Sequence, residues 1–327
     1  ARSSTRRSSP GKVATASLVS TSLEFYDHFI YGTAAALVFP KIFFPQSDPF
    51  VATLLSLLSY GIAFVARPVG AALFGSLGDR LGRRFVLVTT LLIMGLSTFA
   101  IGLLPTYAQV GVLAPITLAV LRFLQGLALG GEWGGAALMV SEFDKTGRRR
   151  GFYGSLVQVA SPIGVLLANA AFGIVDRVTT DAEFLEWGWR LPFLGSLVLV
   201  IVGYLIRRTI AESPEFSRLQ TTGHTAKTPL LDTLRDHWRT VLLAIGVRAG
   251  EGVTWYVFSL FLLVYVPTYV GLPKQVALDA VLYGAVAGVF AIPFFGHLAD
   301  RLGIRRTIGL GAVGAIVWSF AFMVLLQ

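Results

Sequence analysis

The sequence predicts an all-α integral membrane protein built from two bundles of helices. Three observations support this fold class: long apolar stretches, a one-sided distribution of cations, and an internal repeat. Hydrophobic residues make up 54% of the 327-residue chain and charged residues only 14%, and the mean hydropathy is +0.70. Soluble domains usually carry about a quarter charged residues. The composition therefore excludes a soluble globular domain.

Nine apolar stretches are each close to the ~20 residues that a helix needs to cross a bilayer. They cover residues 18–39, 53–76, 85–104, 113–139, 152–174, 191–206, 241–266, 278–298 and 308–326. Residues 1–17 form a basic, Ser-rich tail that we expect to be disordered, and residues 207–240 are expected to be a cytoplasmic loop. This division predicts a six-helix bundle over 18–206 and the first three helices of a second bundle over 241–327.

Lysine and arginine lie almost entirely on one side of the predicted spans. The tail and the loops after even-numbered spans hold 20 of the 27 cations, the other loops hold 4, and 3 arginines lie within spans. Cytoplasmic loops carry an excess of Lys and Arg, so we expect a multi-pass plasma (inner) membrane protein with a cytoplasmic N-terminus. The net charge of +9 is then an orientation signal, and no nucleic-acid partner is expected. Because the chain has no cysteine, disulfides, Cys-ligated zinc and iron–sulfur clusters are excluded, and we expect no metal site.

Two loop segments repeat one motif: GSLGDRLGRR at 75–84 and GHLADRLGIRR at 296–306. Asp79 and Asp300 align 221 residues apart, and both segments follow an even-numbered span. Adding the same offset to the first residue of the first span gives a position close to the start of the seventh span. A repeated six-span unit is typical of secondary transporters with two bundles.

The loop pattern G-x-x-x-D-R-x-G-R-R and the stretch RFLQG at 122–126 resemble signatures of the major facilitator superfamily. Within that superfamily, six stretches resemble the metabolite:H+ symporter family: 23–45, 66–75, 124–142, 149–158, 186–193 and 212–216. The resemblance covers residues 17–327. It departs from the family at His28, where an aromatic residue is usual, and at Ile304.

This resemblance implies a proton-coupled symporter that imports a small organic acid or a zwitterion by alternating access, driven by the proton gradient without a cofactor. We expect a bacterial carrier that acts as a monomer with substrate, H+ and the lipid bilayer as partners. The internal repeat predicts a second bundle of six spans, and the chain contains only three of them, so we expect a two-bundle fold truncated after nine of twelve helices. An antiporter or a facilitative carrier of the same fold remains open, whereas a membrane-embedded enzyme lacks a recognisable catalytic motif.

Charged side chains inside a bilayer cost at least about 2.5–3.5 kcal/mol, so they are candidates for function. Glu24 and Asp27 lie three residues apart on one face of the first span, with Tyr31 one turn further on. Two neighbouring carboxylates cannot both ionise cheaply there, so we expect one to bind the coupled proton. Structural ion pairs with the arginines are the alternative. His28 is expected to be a packing residue, with a place in a proton relay as the alternative.

Arg67 and Arg122 are the cations expected to recognise an anion or to relay charge, since a guanidinium matches a carboxylate with its planar fork of donors. The resemblance implies a role in proton transfer for Arg122. Gln125 and Glu132 share a face of the fourth span, so Gln125 is a substrate-binding candidate and Glu132 a proton-coupling candidate. A structural partner for a loop arginine is the alternative for Glu132.

The seventh span is the counterpart of the first and carries Arg248, Glu251 and Tyr256 on neighbouring turns. We expect these residues to form the second wall of a substrate site between the bundles, with a self-contained ion pair as the alternative. Glycines recur every four residues at 126, 130 and 134, a spacing typical of close helix packing.

The loop motifs are expected to control the cytoplasmic gate, since the resemblance implies charge pairs and a contact with a helix end. The gating residues are Gly75, Asp79, Arg80, Gly82, Arg83, Asp300 and Arg301. They are expected to affect the conformational equilibrium and not the choice of substrate. For Arg190, at the outer end of the sixth span, an interfacial anchor and a cavity residue both remain open.

Overall fold

The computed structural model describes residues 10–143, 150–209, 235 and 237–325. Nine long helices dominate this part of the chain. They are α1 (Pro10–Leu37), α2 (Pro49–Leu81), α3 (Arg83–Leu103), α4 (Leu113–Phe143), α5 (Arg150–Val178), α6 (Arg190–Thr209), α7 (Trp238–Tyr256), α8 (Lys274–Leu302) and α9 (Ile304–Leu325). The chain after α7 stays helical to Val270, mostly as π-helical turns. Shorter helices at Phe39–Phe43, Tyr107–Val110 and Asp181–Glu183 lie in the connections.

Each long helix overlaps one predicted apolar stretch, so the all-helical fold is confirmed. Six helices in the described part are long and apolar enough to cross a membrane, or seven if Asp181–Gly188 and Arg190–Leu205, bent by 45°, form one span. Nine spans therefore stay a prediction. The disordered tail predicted to reach residue 17 is too long, because α1 begins at Pro10. Proline suits the first turn of a helix, and residues 12–17 contain no helix breaker.

The sequence repeat is also a repeat of structure. Gly82 ends α2 with φ 99°, and Gly303, its counterpart at the same 221-residue offset, ends α8 with φ 91°. Each glycine donates its backbone N–H to the carbonyl four residues earlier, at 3.1 Å from Gly78 and 3.0 Å from Ala299. Glycine tolerates this positive φ because it has no Cβ. Both loop motifs therefore form the same sharp connection between consecutive helices.

Helices pack in pairs: α1 against α5, α2 against α4, and α3 against α6. The α2–α4 contact is made by glycines. A Cβ on Gly126 or Gly130 would collide with the backbone carbonyl of Ala63 or Arg67. The packing role predicted for this glycine stripe agrees with these contacts, and the close approach brings the polar side chains of α2 and α4 together.

In the described part of the chain, α1 and α5 both contact the later helices. Gly32 of α1 packs against Leu260, in the helical segment after α7. At the motif end, α5 packs against α8, where Gly151 faces Gly296 so closely that neither has room for a Cβ.

Candidate functional site

A polar cluster lies in the middle of the helices and is centred on His28, whose side chain is only 2% exposed. Its Nε2 atom lies 2.5 Å from the Tyr60 hydroxyl and 3.0 Å from the Tyr256 hydroxyl, and its Nδ1 atom lies 3.3 Å from Nη2 of Arg122. Nη2 of Arg67 approaches Nε2 at 3.5 Å. One imidazole therefore connects side chains of α1, α2, α4 and α7.

Arg122 is 1% exposed and is held from several sides. Its Nη1 donates to the Gln125 side-chain oxygen at 3.0 Å, and its Nε donates to the backbone carbonyl of Tyr60 at 3.4 Å. The guanidinium carbon also lies 4.2 Å from the ring centre of Tyr31 and 4.5 Å from that of Tyr60. These contacts fix the guanidinium group by neutral partners and aromatic faces.

Gln125 continues the network towards α1. Because Arg122 can only donate, the Gln125 oxygen faces Arg122, and its NH₂ group donates to the Thr98 hydroxyl at 2.7 Å. Thr98 donates to the backbone carbonyl of Met94 at 2.9 Å and lies beside the Asp27 side chain. A hydroxyl has one hydrogen and two acceptor sites. With its hydrogen on Met94 and one acceptor site used by Gln125, the Thr98 hydroxyl has one acceptor site left.

The acidic pair and the two arginines occupy separate parts of the cluster. Glu24 and Asp27 are 4% and 5% exposed. Among the described residues, neither Arg67 nor Arg122 has a carboxylate within ion-pair distance, so the predicted alternative of structural ion pairs with them is not found. Arg67 instead stacks on Phe64, with 4.3 Å from its guanidinium carbon to the ring centre. The buried atoms Nε of Arg67 and Oδ1 of Asp27 have no hydrogen-bond partner within the described part.

Tyr31 and Tyr256 are placed differently. The Tyr31 side chain is completely buried, and its hydroxyl hydrogen-bonds the Ser59 hydroxyl at 2.8 Å. In this conformation its ring packs against the guanidinium group of Arg122. Tyr256 reaches across from α7 to His28, as the expected second wall requires. Arg248 and Glu251 form an ion pair with each other, and their side chains are 52% and 54% exposed. Arg248 is also close enough to Arg67 for their charges to interact.

The second loop motif contacts a helix end. Asp300 accepts hydrogen bonds from the backbone N–H groups of Gly151 and Phe152, at 2.7 and 3.0 Å, in the first turn of α5. Arg301 and Gly75 are exposed. The side chains of Asp79, Arg80, Arg83 and Glu132 lie outside the described part of the structure, so their predicted roles stay predictions.

Arg190 caps the C-terminal end of α3. Its Nη1 donates to the carbonyls of Gly102 and Leu104, at 2.9 and 2.6 Å, at the C-terminal end of α3. Its guanidinium carbon lies 4.6 Å from the ring centre of Trp189. Arginine is favoured at a helix C-terminus because unpaired carbonyls and the negative end of the helix dipole lie there.

Sequence reasoning missed three residues of the cluster. No sequence signal identified Thr98, Ser59 and Tyr60, since hydroxyl groups are common in apolar spans. The expectation for His28 is a satisfied packing histidine; its ring is buried, and its nitrogens contact four polar side chains. The departure from an aromatic residue at this position was the available signal. The described residues contain no group of three or more acidic or histidine side chains arranged to hold a metal ion.

Comparisons with known proteins agree with this architecture. The profile of the Major Facilitator Superfamily matches residues 18–327. The inner membrane metabolite transport protein YhjE of Escherichia coli K12 is 43% identical over 97% of this chain and 73% of its own length. The shikimate transporter of the same strain is 39% identical over 97% and 72%. The proline/betaine transporter of Salmonella typhimurium is 33% identical over 97% and 65%.

Solved structures of the proton:xylose symporter XylE share the fold. The complex with 6-bromo-6-deoxy-D-glucose has a TM-score of 0.60 at 18% identity and covers 90% of this chain and 69% of XylE. The partially occluded inward-open form has the same TM-score and identity over 97% and 93%. At this identity the likeness shows the fold alone. The match to the profile and to the bacterial relatives shows more: the chain belongs to the Major Facilitator Superfamily, a family of multi-pass membrane transporters and not of enzymes.

Proposed function

We propose that this chain is the transport unit of a proton-coupled symporter that imports a small organic acid or a zwitterion by alternating access. One observation carries the proposal. Two arginines without a carboxylate partner among the described residues lie in the same cluster as two buried acidic side chains, and the neutral side chains of Gln125 and Thr98 lie between Arg122 and Asp27. Such a site can take up an anion and a proton together without a change in its net charge.

The two arginines are the groups that would bind the substrate anion. Burying a cation without a counterion is costly, so a carboxylate placed near Arg67 and Arg122 would relieve that cost. Arg67 still has an unbonded Nε to offer. Relatives named for shikimate and for proline/betaine support a substrate that carries a carboxylate.

The acidic pair would bind and release the coupled proton. Asp27 is connected to Arg122 by Thr98 and Gln125, so its protonation and the occupation of the arginine site can influence each other. When Asp27 is neutral, the arginines keep their full positive field for a substrate anion. When Asp27 loses its proton, its charge competes for the same cations. Loading of proton and substrate would therefore favour each other, as symport requires.

Alternating access would use the two contacts between the early and late helices. His28 meets Tyr256 within the polar cluster, and α5 meets α8 at the motif end. Opening one contact while the other holds would expose the cluster to one side at a time. The proton gradient is the only energy source that this scheme needs, and a monomer is sufficient for it.

The test is uptake by the protein reconstituted in liposomes, with a radiolabelled panel of shikimate, 2-oxoglutarate, citrate, proline and glycine betaine. An inward proton gradient should drive accumulation of at least one carboxylate, and a protonophore should abolish it. Uptake that is unchanged after the gradient collapses would indicate a facilitative carrier. Acceleration only by substrate loaded inside the vesicles would indicate an antiporter.

A further inference from the structure

The ring of His28 has hydrogen-bond partners that fit one protonation form. Arg122 can only donate, so Nδ1, at 3.3 Å from its Nη2, has to accept. The ring hydrogen then lies on Nε2, where the Tyr60 and Tyr256 hydroxyls can accept it at 2.5 and 3.0 Å. Nη2 of Arg67 also faces Nε2 but lies further away, at 3.5 Å, so the two hydroxyls are the nearer partners. A doubly protonated ring would present a donor to Arg122 and place a third cation between two guanidinium groups. This tautomer is assigned from the partners of the ring.

The contacts of His28 divide between two functions. Through Nδ1 the ring contributes to the orientation of Arg122, a group that we assign to the substrate. Through Nε2 it contacts Tyr60 on α2 and Tyr256 on α7. When α7 moves relative to α1, Tyr60 can retain the Nε2 hydrogen after Tyr256 leaves. The cross-bundle bond can therefore break without leaving the buried ring unsatisfied, and the orientation of Arg122 is preserved.

We propose that His28 is a positioning residue for substrate binding: its neutral ring holds Arg122 through Nδ1 and bonds Tyr256 through Nε2 when α1 and α7 are together. This inference rests on the proposed function for the role of Arg122, but the state of the ring can be tested separately. An aromatic residue at position 28 would fill the same space among Phe29, Tyr60, Phe64 and Tyr256 and would leave Arg122 without its acceptor. Position 28 is thus expected to set affinity for the acid.

The first experiment is nitrogen-15 NMR of the full chain labelled at its histidine rings, with the His28 signals assigned by their loss in His28→Gln. We expect the neutral Nε2–H form at neutral pH. Arg122→Lys should shift the Nδ1 signal and Tyr256→Phe the Nε2 signal. Tyr26→Phe, which removes a buried hydroxyl bonded to the Pro192 carbonyl, is the matched control and should shift neither. An Nδ1–H or doubly protonated ring, or signals indifferent to Arg122, would overturn the proposal.

The second experiment compares two substitutions in the liposome assay, with the best-transported acid of the panel as the probe. The side-chain oxygen of asparagine stands where Nδ1 stands in histidine, whereas phenylalanine offers no acceptor. His28→Phe should raise KM about tenfold or more, and His28→Asn should keep it within about threefold, with similar melting temperatures. Equal KM values for the two variants would contradict the proposal. Absence of gradient-driven uptake in the unmodified protein would refute symport, while the NMR result would still decide the state of His28.

Discussion

The hydroxyl of Thr98 accepts a hydrogen bond of 2.7 Å from the side-chain amide of Gln125, and this bond joins the acidic part of the buried cluster to its basic part. Thr98 lies on α3 beside Asp27 of α1, whereas Gln125 lies on α4 and accepts a hydrogen bond from Arg122. This hydrogen bond therefore connects the proposed proton site to the proposed anion site.

Thr98→Val should uncouple the two sites. Valine has the shape of threonine but no hydroxyl, so the hydrogen bond from Gln125 disappears, at a cost of about 1–3 kcal/mol for the buried amide left unpaired. We expect gradient-driven accumulation to fall about tenfold, the factor that 1.4 kcal/mol represents, while substrate exchange at equal pH falls much less. Thr90→Val is the matched control, because Thr90 is also buried on α3 but bonds only carbonyls of its own helix. Equal losses in both assays would contradict a coupling role.

Asp27→Asn should mimic a permanently protonated carboxyl. The amide can still bond Thr98, so we expect the protein to fold and to exchange substrate across the membrane. Accumulation against a gradient should be lost, because position 27 no longer releases a proton. Counterflow and gradient-driven uptake separate these two activities, with Asp279→Asn on α8 as control. Loss of counterflow to the same extent would assign Asp27 to binding or folding.

Arg122→Lys should weaken substrate binding although it conserves the charge. The guanidinium donates to Tyr60, Gln125 and His28 from three nitrogens, and one ammonium group cannot reach all three partners in this geometry. Loss of charge-assisted bonds at about 1.5–3 kcal/mol predicts a KM increase of about 10- to 100-fold. Transport kinetics with the best acid of the panel measure it. Arg177→Lys, at an exposed arginine near the end of α5, should change nothing.

Gly130→Ala should destabilise the α2–α4 pair. The added methyl group would collide with the backbone carbonyl of Arg67, and overpacking of this kind costs about 1–3 kcal/mol. We expect a lower melting temperature in a thermal-shift measurement. Gly173→Ala is the matched control, because its Cβ would meet nothing within 4 Å and alanine favours a helix over glycine by about 0.5–1 kcal/mol. A melting temperature that falls equally for both variants would contradict the packing role.

The sequence predicted the positions of the nine helices, the glycine contact and the presence of arginines among the helices. These features are local, since span length, glycine spacing and an intramembrane charge can each be recognised within one helix. The repeat extended this success to Gly82 and Gly303, because equal motifs formed equal helix ends.

The partners in the cluster could not be predicted in the same way. Helical periodicity tells which side chains share a face, but not which helix that face meets. His28 and Tyr256 are 228 residues apart in sequence, and their contact follows from the packing of α1 against the segment after α7. Thr98 was missed for the same reason, since its importance depends on Asp27 and Gln125 meeting it from two other helices.

Asp300→Ala should loosen the contact between α5 and α8. Its carboxylate accepts two backbone N–H groups at the start of α5, and loss of such a cap costs about 0.5–2 kcal/mol. If this contact closes the motif end, its open state should become about 2- to 30-fold more populated. Because the chain has no native cysteine, Ser155→Cys is a clean reporter: Ser155 is 8% exposed and faces Gly296. Thiol labelling of this cysteine should accelerate in Asp300→Ala, less in Asp300→Asn, which keeps one acceptor oxygen, and not in Asp279→Asn. An unchanged labelling rate in Asp300→Ala would show that the cap does not control opening.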